Sequence, residues 1–180
     1  MKRIAAILLI LSLFTGCALS EELSQTFKNK HYTLRLPEDW TISTDNLDED
    51  EDYWELGYLY CEGETILCIA ATLEYYEDWT DVSLWKSDQE EMDMYIRDLT
   101  RQLSDYEARY LETIYVGKIP FIVMELKNSE REYYAETMTN GYAVGLDFYA
   151  MKYPTYKDVE VSHEQYELFV RILNTFEPIV

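Results

Sequence analysis

Turns of hairpin length constrain the fold of this chain most strongly. From Arg109 onward the sequence runs through four strand-like segments, which read RYLETIYV, PFIVMELK, EYYAETMT and YAVGLDFYA. The turns between them are Gly117-Lys118, Asn128-Ser129 and Asn140-Gly141. Asn-Gly is the strongest short-range hairpin signal, and connections this short join antiparallel neighbours. This half of the chain therefore predicts an antiparallel sheet.

Strand patterns also dominate the first half of the chain. The segment YTLRL alternates apolar and polar residues from Tyr32 to Leu36, and Pro37 ends it because proline cannot donate to a ladder. A long hairpin is predicted further on, with YWELGYLY on one arm and TILCIAATLEYY on the other. Between the two, Asp45 to Asp52 is a charge run that favours a solvated loop.

Two helices are predicted from capping boxes followed by helical periodicity. Ser87 and Glu90 are placed to open a helix that runs to about Asp105, while Ser162 and Gln165 are placed to open a second one that ends before Pro178. The order is therefore strands, helix, strands, helix. This order predicts an α+β domain with a mostly antiparallel sheet.

The N-terminal twenty residues are typical of an export signal. Lys2 and Arg3 precede an apolar run from Ile4 to Phe14 that is too short to span a bilayer. Residues 13–17, LFTGC, are similar to a bacterial lipobox, which would make Cys17 the lipid-bearing first residue; ordinary cleavage after Ser20 is the alternative. Residues 21–30 are predicted to be a tether, and residues 31–180 a single domain.

Charge excludes one class of function. The chain has 35 acidic and 15 basic residues, a net charge of −20, which becomes about −22 once the signal with its two bases is removed. Such a charge repels nucleic acid and anionic lipid. It suits an extracytoplasmic protein and can attract cations or a basic partner.

Two cysteines remain after the signal. If Glu64 and Thr65 form the tip of the long hairpin, Cys61 and Cys68 lie directly opposite each other, within reach of a disulfide. Two small buried thiols that stay reduced are the alternative. A metal site is disfavoured because two cysteines with no adjacent histidine supply too few ligands.

No catalytic motif stands out. His31 and His163 are isolated in sequence, and the chain has no nucleophile elbow, phosphate-binding glycine loop or zinc-protease motif. We therefore predict no catalytic residue, metal or cofactor, and a protein that is not an enzyme. A hydrolase built on two carboxylates is the weakest alternative, since no pair stands out among so many acids.

Aromatic residues are unusually frequent, with 17 tyrosines and four tryptophans. Neighbouring aromatics on a strand point to opposite faces, so they must pack on both faces of the sheet or line a groove. Core packing is the simpler interpretation. A binding groove is otherwise predicted where they are densest, at Tyr53, Trp54, Tyr75, Tyr76, Trp79 and Trp85.

Three segments, YTLRLPEDW, GKIP and VRILNTFEP, resemble hallmarks of the PsbP-like superfamily, and the resemblance extends over the whole mature chain. It implies an antiparallel sheet sandwiched by helices, and among its members it points to the bacterial envelope lipoproteins. It assigns no functional residue, because members of that superfamily perform unrelated tasks.

These observations together predict a non-catalytic, exported domain that is lipid-anchored and faces the extracytoplasmic side. Its expected partners are another envelope protein and, through the anchor, the membrane. Two alternatives stay open: the protein is secreted without an anchor, or its aromatic groove binds a glycan or another small molecule.

Overall fold

The structure is a computed structural model that describes residues 22–43, 52–58, 65–127 and 130–179, with the backbone alone for residues 52–58 and 78. The predicted signal peptide, the lipobox with Cys17 and most of the acidic run lie outside these residues. Among the described residues, no helix is both long and apolar enough to cross a membrane.

A large antiparallel sheet forms the body of the fold. Its strands are β3 (Trp40–Ser43), β4 (Asp52–Tyr58), β5 (Thr65–Tyr75), β6 (Arg109–Val116), β7 (Ile119–Lys127), β8 (Arg131–Thr139), β9 (Tyr142–Lys152) and β10 (Lys157–Val159). They are arranged in the order β3-β4-β5-β9-β8-β7-β6, and β10 pairs with the end of β9. The four strands predicted after Arg109 are confirmed with nearly the predicted bounds.

A second, small sheet contains β1 (Gln25–Lys28), β2 (Tyr32–Leu36) and β11 (Glu177–Pro178). The Asn29 side chain accepts hydrogen bonds from the backbone N–H groups of His31 and Tyr32, each 2.8 Å long, and so closes the turn between β1 and β2. The tether predicted for residues 21–30 is wrong for β1, because Phe27 is buried in the core and holds this strand in the domain.

Pro37 ends β2 as predicted. Its carbonyl accepts a hydrogen bond from the backbone N–H of Trp40, 3.2 Å long, which closes a turn. Trp40 then opens β3 and is only 2% exposed. The segment from Pro37 to Trp40 is therefore a structural corner of the fold.

Both predicted helices are present. Helix α1 (Gln89–Gln102) begins at a capping box of Asp88 and Glu91, one residue after the predicted pair, and ends three residues earlier than predicted. Helix α2 (His163–Leu173) begins at the predicted capping box of Ser162 and Gln165. The shift in α1 reflects the choice between Ser87 and Asp88, two adjacent residues that can both cap a helix.

The two helices pack with different sets of sheet residues. Phe121 and Val123 of β7 belong to a cluster that contains α2 and the small sheet, whereas Ile122 and Met124 belong to a cluster that contains α1. Because successive strand residues point to opposite faces, β7 carries core residues on both faces. The fold is thus a mostly antiparallel α+β domain with two helices.

The register of β4 and β5 corrects one prediction. Cys68 lies opposite Gly57 on β4, so the predicted register that places Cys61 directly opposite Cys68 is wrong. Of the predicted hairpin tip, Thr65 begins β5, whereas Glu64 and Cys61 lie outside the described residues. A disulfide between Cys61 and Cys68 stays an untested prediction, and the directly opposed register no longer supports it.

Two tight hairpin turns come to the same end of the large sheet. Gly117 has φ +62° in the turn between β6 and β7, and Asn140 and Gly141 have φ +50° and +81° in the turn between β8 and β9. The chain from residue 76 to 86 crosses the second turn, since Gly141 N–H donates to the Val82 carbonyl at 3.1 Å. This end of the sheet positions the candidate site.

Candidate functional site

A cavity of about 390 Å³ lies at this hairpin end of the large sheet. On one side are sheet residues such as Ile119 and Val144, and on the other are Phe176 and Pro178, where the small sheet ends. The complete lining is His31, Trp85, Lys118, Ile119, Thr139, Asn140, Tyr142, Val144, Phe176, Pro178 and Ile179. We call it the hairpin-end cavity.

Three aromatic rings contact one another in a row beside this cavity, with the planes of each pair tilted by 39°. The ring centre of Tyr142 lies 4.7 Å from that of Tyr75 and 4.4 Å from that of His31. Tyr75 and Tyr142 are cross-strand partners on β5 and β9, so the sheet register brings these two rings together. Tyr75 remains 46% exposed, which leaves ring surface available for contact with a partner.

Trp85 and Lys118 form a second side of the cavity. Lys118 Nζ lies 3.7 Å from the centre of the Trp85 ring, a cation–π contact, and Lys86 Nζ lies 5.0 Å from the same ring. Among the described side chains, no carboxylate is within ion-pair distance of Lys118. Lys118 is an exposed residue and can therefore pair with an anionic partner.

The charge of the hairpin-end cavity differs from that of the chain as a whole. None of the described residues that line it is acidic, whereas Lys118 is basic and His31 can donate a hydrogen bond. The whole chain has more than twice as many acidic as basic residues. The cavity is therefore a local exception to an acidic surface.

A smaller cavity of about 70 Å³, the helix-side pocket, lies between α1 and the sheet. Its lining residues are Tyr76, Trp79, Tyr95, Asp98, Leu99, Gln102, Glu136, Met138 and Ala143. A space of this size holds about two water molecules, far less than a substrate needs.

The buried carboxylate of the helix-side pocket is satisfied within the protein. The hydroxyl groups of Tyr95 and Tyr134 donate to separate oxygens of Glu136, the second at 2.5 Å. Burial raises the pKa of Glu136, and the two donated hydrogen bonds oppose that rise. Gly145 makes room for this arrangement, because a Cβ there would lie 2.5 Å from the Tyr134 hydroxyl.

Two further carboxylates along the sheet have raised pKa values. Burial, followed by the negative charges of Asp147 and Asp158, raises the pKa of Glu132 to about 7. Burial alone raises the pKa of Asp147 to about 6. Neither lines one of the cavities described here. Glu132 and Asp147 therefore do not form the pair of acids in a cleft that the carboxylate-based hydrolase requires.

A third, open groove of about 570 Å³ runs along α2 beside the edge strand β6. His163, Glu164 and Glu167 lie on it, and Tyr166 donates a 2.6 Å hydrogen bond to Glu112. No set of three or more potential metal-binding side chains occurs among the residues whose positions are described.

The structure divides the six residues of the predicted groove. Trp85 lines the hairpin-end cavity and Tyr75 contacts Tyr142 beside it, whereas Tyr76 and Trp79 lie at the helix-side pocket with their ring centres 6.1 Å apart. The side chains of Tyr53 and Trp54 lie outside the described residues. The four residues whose side chains are described therefore do not form one groove, and the predicted part played by Tyr53 and Trp54 stays a prediction.

Sequence reasoning missed His31, Lys118 and Tyr142 as parts of one cavity. A usable signal was present, because the turns containing Lys118 and preceding Tyr142 are separated by two strands and so fall at the same end of an antiparallel meander. His31 joins them only through the pairing of β2 with β11, which no local pattern indicates.

Comparison with known proteins supports the fold. No protein-family model matches the sequence, and no curated protein matches it. The chain is similar to the solution structure of cyanobacterial PsbP (CyanoP) from Synechocystis sp. PCC 6803, with 10% sequence identity and a TM-score of 0.51. The alignment covers 86% of this chain and 92% of that one. The fold of this chain is therefore PsbP-like, as predicted; membership of a bacterial lipoprotein branch stays a prediction.

Proposed function

We propose that this protein is a non-catalytic, exported domain that binds another protein at the cell envelope, and that the hairpin-end cavity is its binding site. The observation that supports this most is a cavity with aromatic sides and an apolar floor, without an acidic lining residue, in a strongly acidic chain. Aromatic side chains with few polar groups are typical of binding sites for protein partners.

Site-specific photo-crosslinking in intact cells tests the proposed binding site. A photoreactive phenylalanine analogue replaces Tyr142 at the cavity or, as a control, Tyr156, which is 60% exposed. The control position follows the far end of β9, about 33 Å from Tyr142 along the strand. We expect a discrete adduct from position 142 alone. Equal adducts from both positions, or none from position 142, would contradict the proposal.

The anchor is a separate part of the proposal. We propose that Cys17 carries the lipid, because multiple acyl chains hold a domain on a membrane firmly whereas one chain does not. Cells grown with a clickable fatty acid should label the native protein and not the Cys17→Ser variant. Equal labelling of both would exclude Cys17, and absence of labelling in both would favour ordinary cleavage and secretion.

A glycan or another small molecule is the second candidate ligand. The exposed ring of Tyr75 in the row of three rings favours it, because sugars stack on aromatic faces. Sugar hydroxyl groups also need several hydrogen-bond acceptors, and the described lining offers no carboxylate for them, only neutral acceptors such as Thr139 and Asn140. The protein partner is therefore the better-supported ligand.

A further inference from the structure

The lysine at the rim of the hairpin-end cavity carries information about the ligand. Lys118 Nζ lies over the Trp85 ring, and no described carboxylate pairs with it. A cation–π contact leaves the positive charge uncompensated, so the ammonium group still attracts an anion. A carboxylate that approaches Trp85 from outside the protein would meet Lys118. Within the described lining, Lys118 is the residue that carries a fixed charge.

The floor of the cavity is suited to a different group. Ile119, Val144 and Phe176 are almost fully buried, and Pro178 and Ile179 continue the same apolar surface. The volume of about 390 Å³ is near the lower limit for ligand sites, so it suits one or two large side chains rather than a bulky cofactor. The ligand therefore has an apolar part and an anionic part.

We infer that the hairpin-end cavity binds an extended segment of the partner protein that inserts a large apolar side chain and places a nearby carboxylate on Lys118. Residues i and i+2 of an extended chain point to the same side, so a Phe-x-Glu arrangement presents both groups together. This inference deepens the proposed function and depends on it, since it specifies which part of a protein partner is recognised.

The net charge of the chain adds a condition on the partner. A field of this size repels a partner that is acidic overall, attracts one that is basic, and does not oppose the approach of a neutral one. The single carboxylate that meets Lys118 would then act locally, to fix the position of the segment in the cavity. The expected partner is therefore basic or neutral, with one acidic residue in its binding segment.

Fluorine NMR of the full-length protein in detergent provides the test. Incorporation of 5-fluorotryptophan gives four signals at most, and Trp85→Phe identifies that of Trp85. The probes are the blocked tetrapeptides Phe-Ala-Glu-Ala and Phe-Ala-Gln-Ala, together with 4-phenylbutyrate as a small molecule of the same chemistry. We expect the Glu peptide to shift the Trp85 signal and to bind at least about tenfold more tightly than the Gln peptide.

A matched pair of lysine variants isolates the charge. Lys118→Gln should abolish the preference for the Glu peptide, whereas Lys86→Gln should keep it, because Lys86 touches the same ring without lining the cavity. Equal affinity for both peptides, loss of preference in both variants, or binding of 4-phenylbutyrate alone would overturn the inference. If position 142 gives a crosslinked adduct but the two peptides bind with equal affinity, this inference fails while the proposed function stands.

Discussion

The hairpin-end cavity and the helix-side pocket are both rich in aromatic side chains, yet their polar groups have different partners. At the helix-side pocket, Tyr95 and Tyr134 donate to Glu136, and little space remains. At the hairpin-end cavity, Lys118 has an aromatic ring but no described carboxylate as its partner, and the space is several times larger. The first arrangement is closed within the protein, whereas the second is open to a ligand.

This difference shows that aromatic density alone does not identify a binding site. A buried aromatic hydroxyl is usually satisfied by a nearby acceptor, and it then stabilises the fold rather than a ligand. An aromatic ring next to an uncompensated charge and an empty volume can instead bind a partner. The following predictions test this division, in order of decreasing effect on the free energy of unfolding.

Glu136→Ala should give the largest effect, a loss of about 3 kcal/mol in the free energy of unfolding measured with urea. The substitution leaves the hydroxyl groups of Tyr95 and Tyr134 without their acceptor, at about 1 to 3 kcal/mol for each buried group. Glu112→Ala is the control, because the Tyr166 hydroxyl that it frees is exposed and can bond to water. Equal losses in the two variants would show that the helix-side pocket is not a closed structural unit.

Stability should fall by about 2 kcal/mol as the pH rises from 5 to 8. Burial raises the native pKa values of Glu132 and Asp147 to about 7 and about 6. As the pH rises, these carboxyl groups ionise in the unfolded chain before they ionise in the native protein, so the free energy of unfolding falls. One pKa unit corresponds to about 1.4 kcal/mol, and contact with solvent screens part of the total. Urea unfolding at each pH measures the effect.

A charge-matched pair of variants separates this effect from general repulsion in an acidic chain. Glu132→Gln should flatten the pH dependence, whereas Glu130→Gln removes the same charge from an exposed position and should leave the slope unchanged. A stability that rises with pH, or equal slopes in the two variants, would contradict the burial of a protonated Glu132.

Gly141→Ala should cost about 1 to 2 kcal/mol, measured by urea unfolding. Its φ of +81° strains an L residue, and a Cβ there would lie 3.0 Å from the Thr80 Cα. Gly117→Ala is the control, since its φ is also positive but a Cβ would meet nothing within 4 Å. A larger loss at Gly117 would contradict the close crossing of the 76–86 segment over the second turn.

Local patterns in the sequence predicted most of the fold. The alternation from Tyr32 to Leu36 and the Asn140-Gly141 turn act over a few residues, so strands and hairpins follow from them directly. The β1 strand escaped prediction because its main signal is Phe27, a single apolar residue in a polar segment. Its burial depends on pairing with β2, which is a tertiary effect.

The site was less predictable than the fold. Tyr75 and Tyr76 were expected to point to opposite faces, and they do lie at different cavities, but the sequence gives no measure of the space beside each ring. The contact of Lys118 with Trp85 joins residues 33 positions apart, through the packing of a short 3-10 segment against a hairpin turn. Long-range packing of this kind has no local signature.

Trp85→Ala and Trp79→Ala should give the smallest changes in stability and the clearest contrast in binding. Both rings are partly exposed, so each variant should lose less than about 1 kcal/mol in the free energy of unfolding. Trp85→Ala should nevertheless weaken binding of the Phe-Ala-Glu-Ala peptide by about tenfold or more, because it removes an aromatic side of the cavity and the ring under Lys118. Trp79→Ala should leave the affinity unchanged, since that ring lies at the helix-side pocket. Peptide titration by calorimetry measures the affinity of each variant. An equal loss of affinity in the two variants would mean that the two regions are coupled, and the division between a closed pocket and an open cavity would then fail.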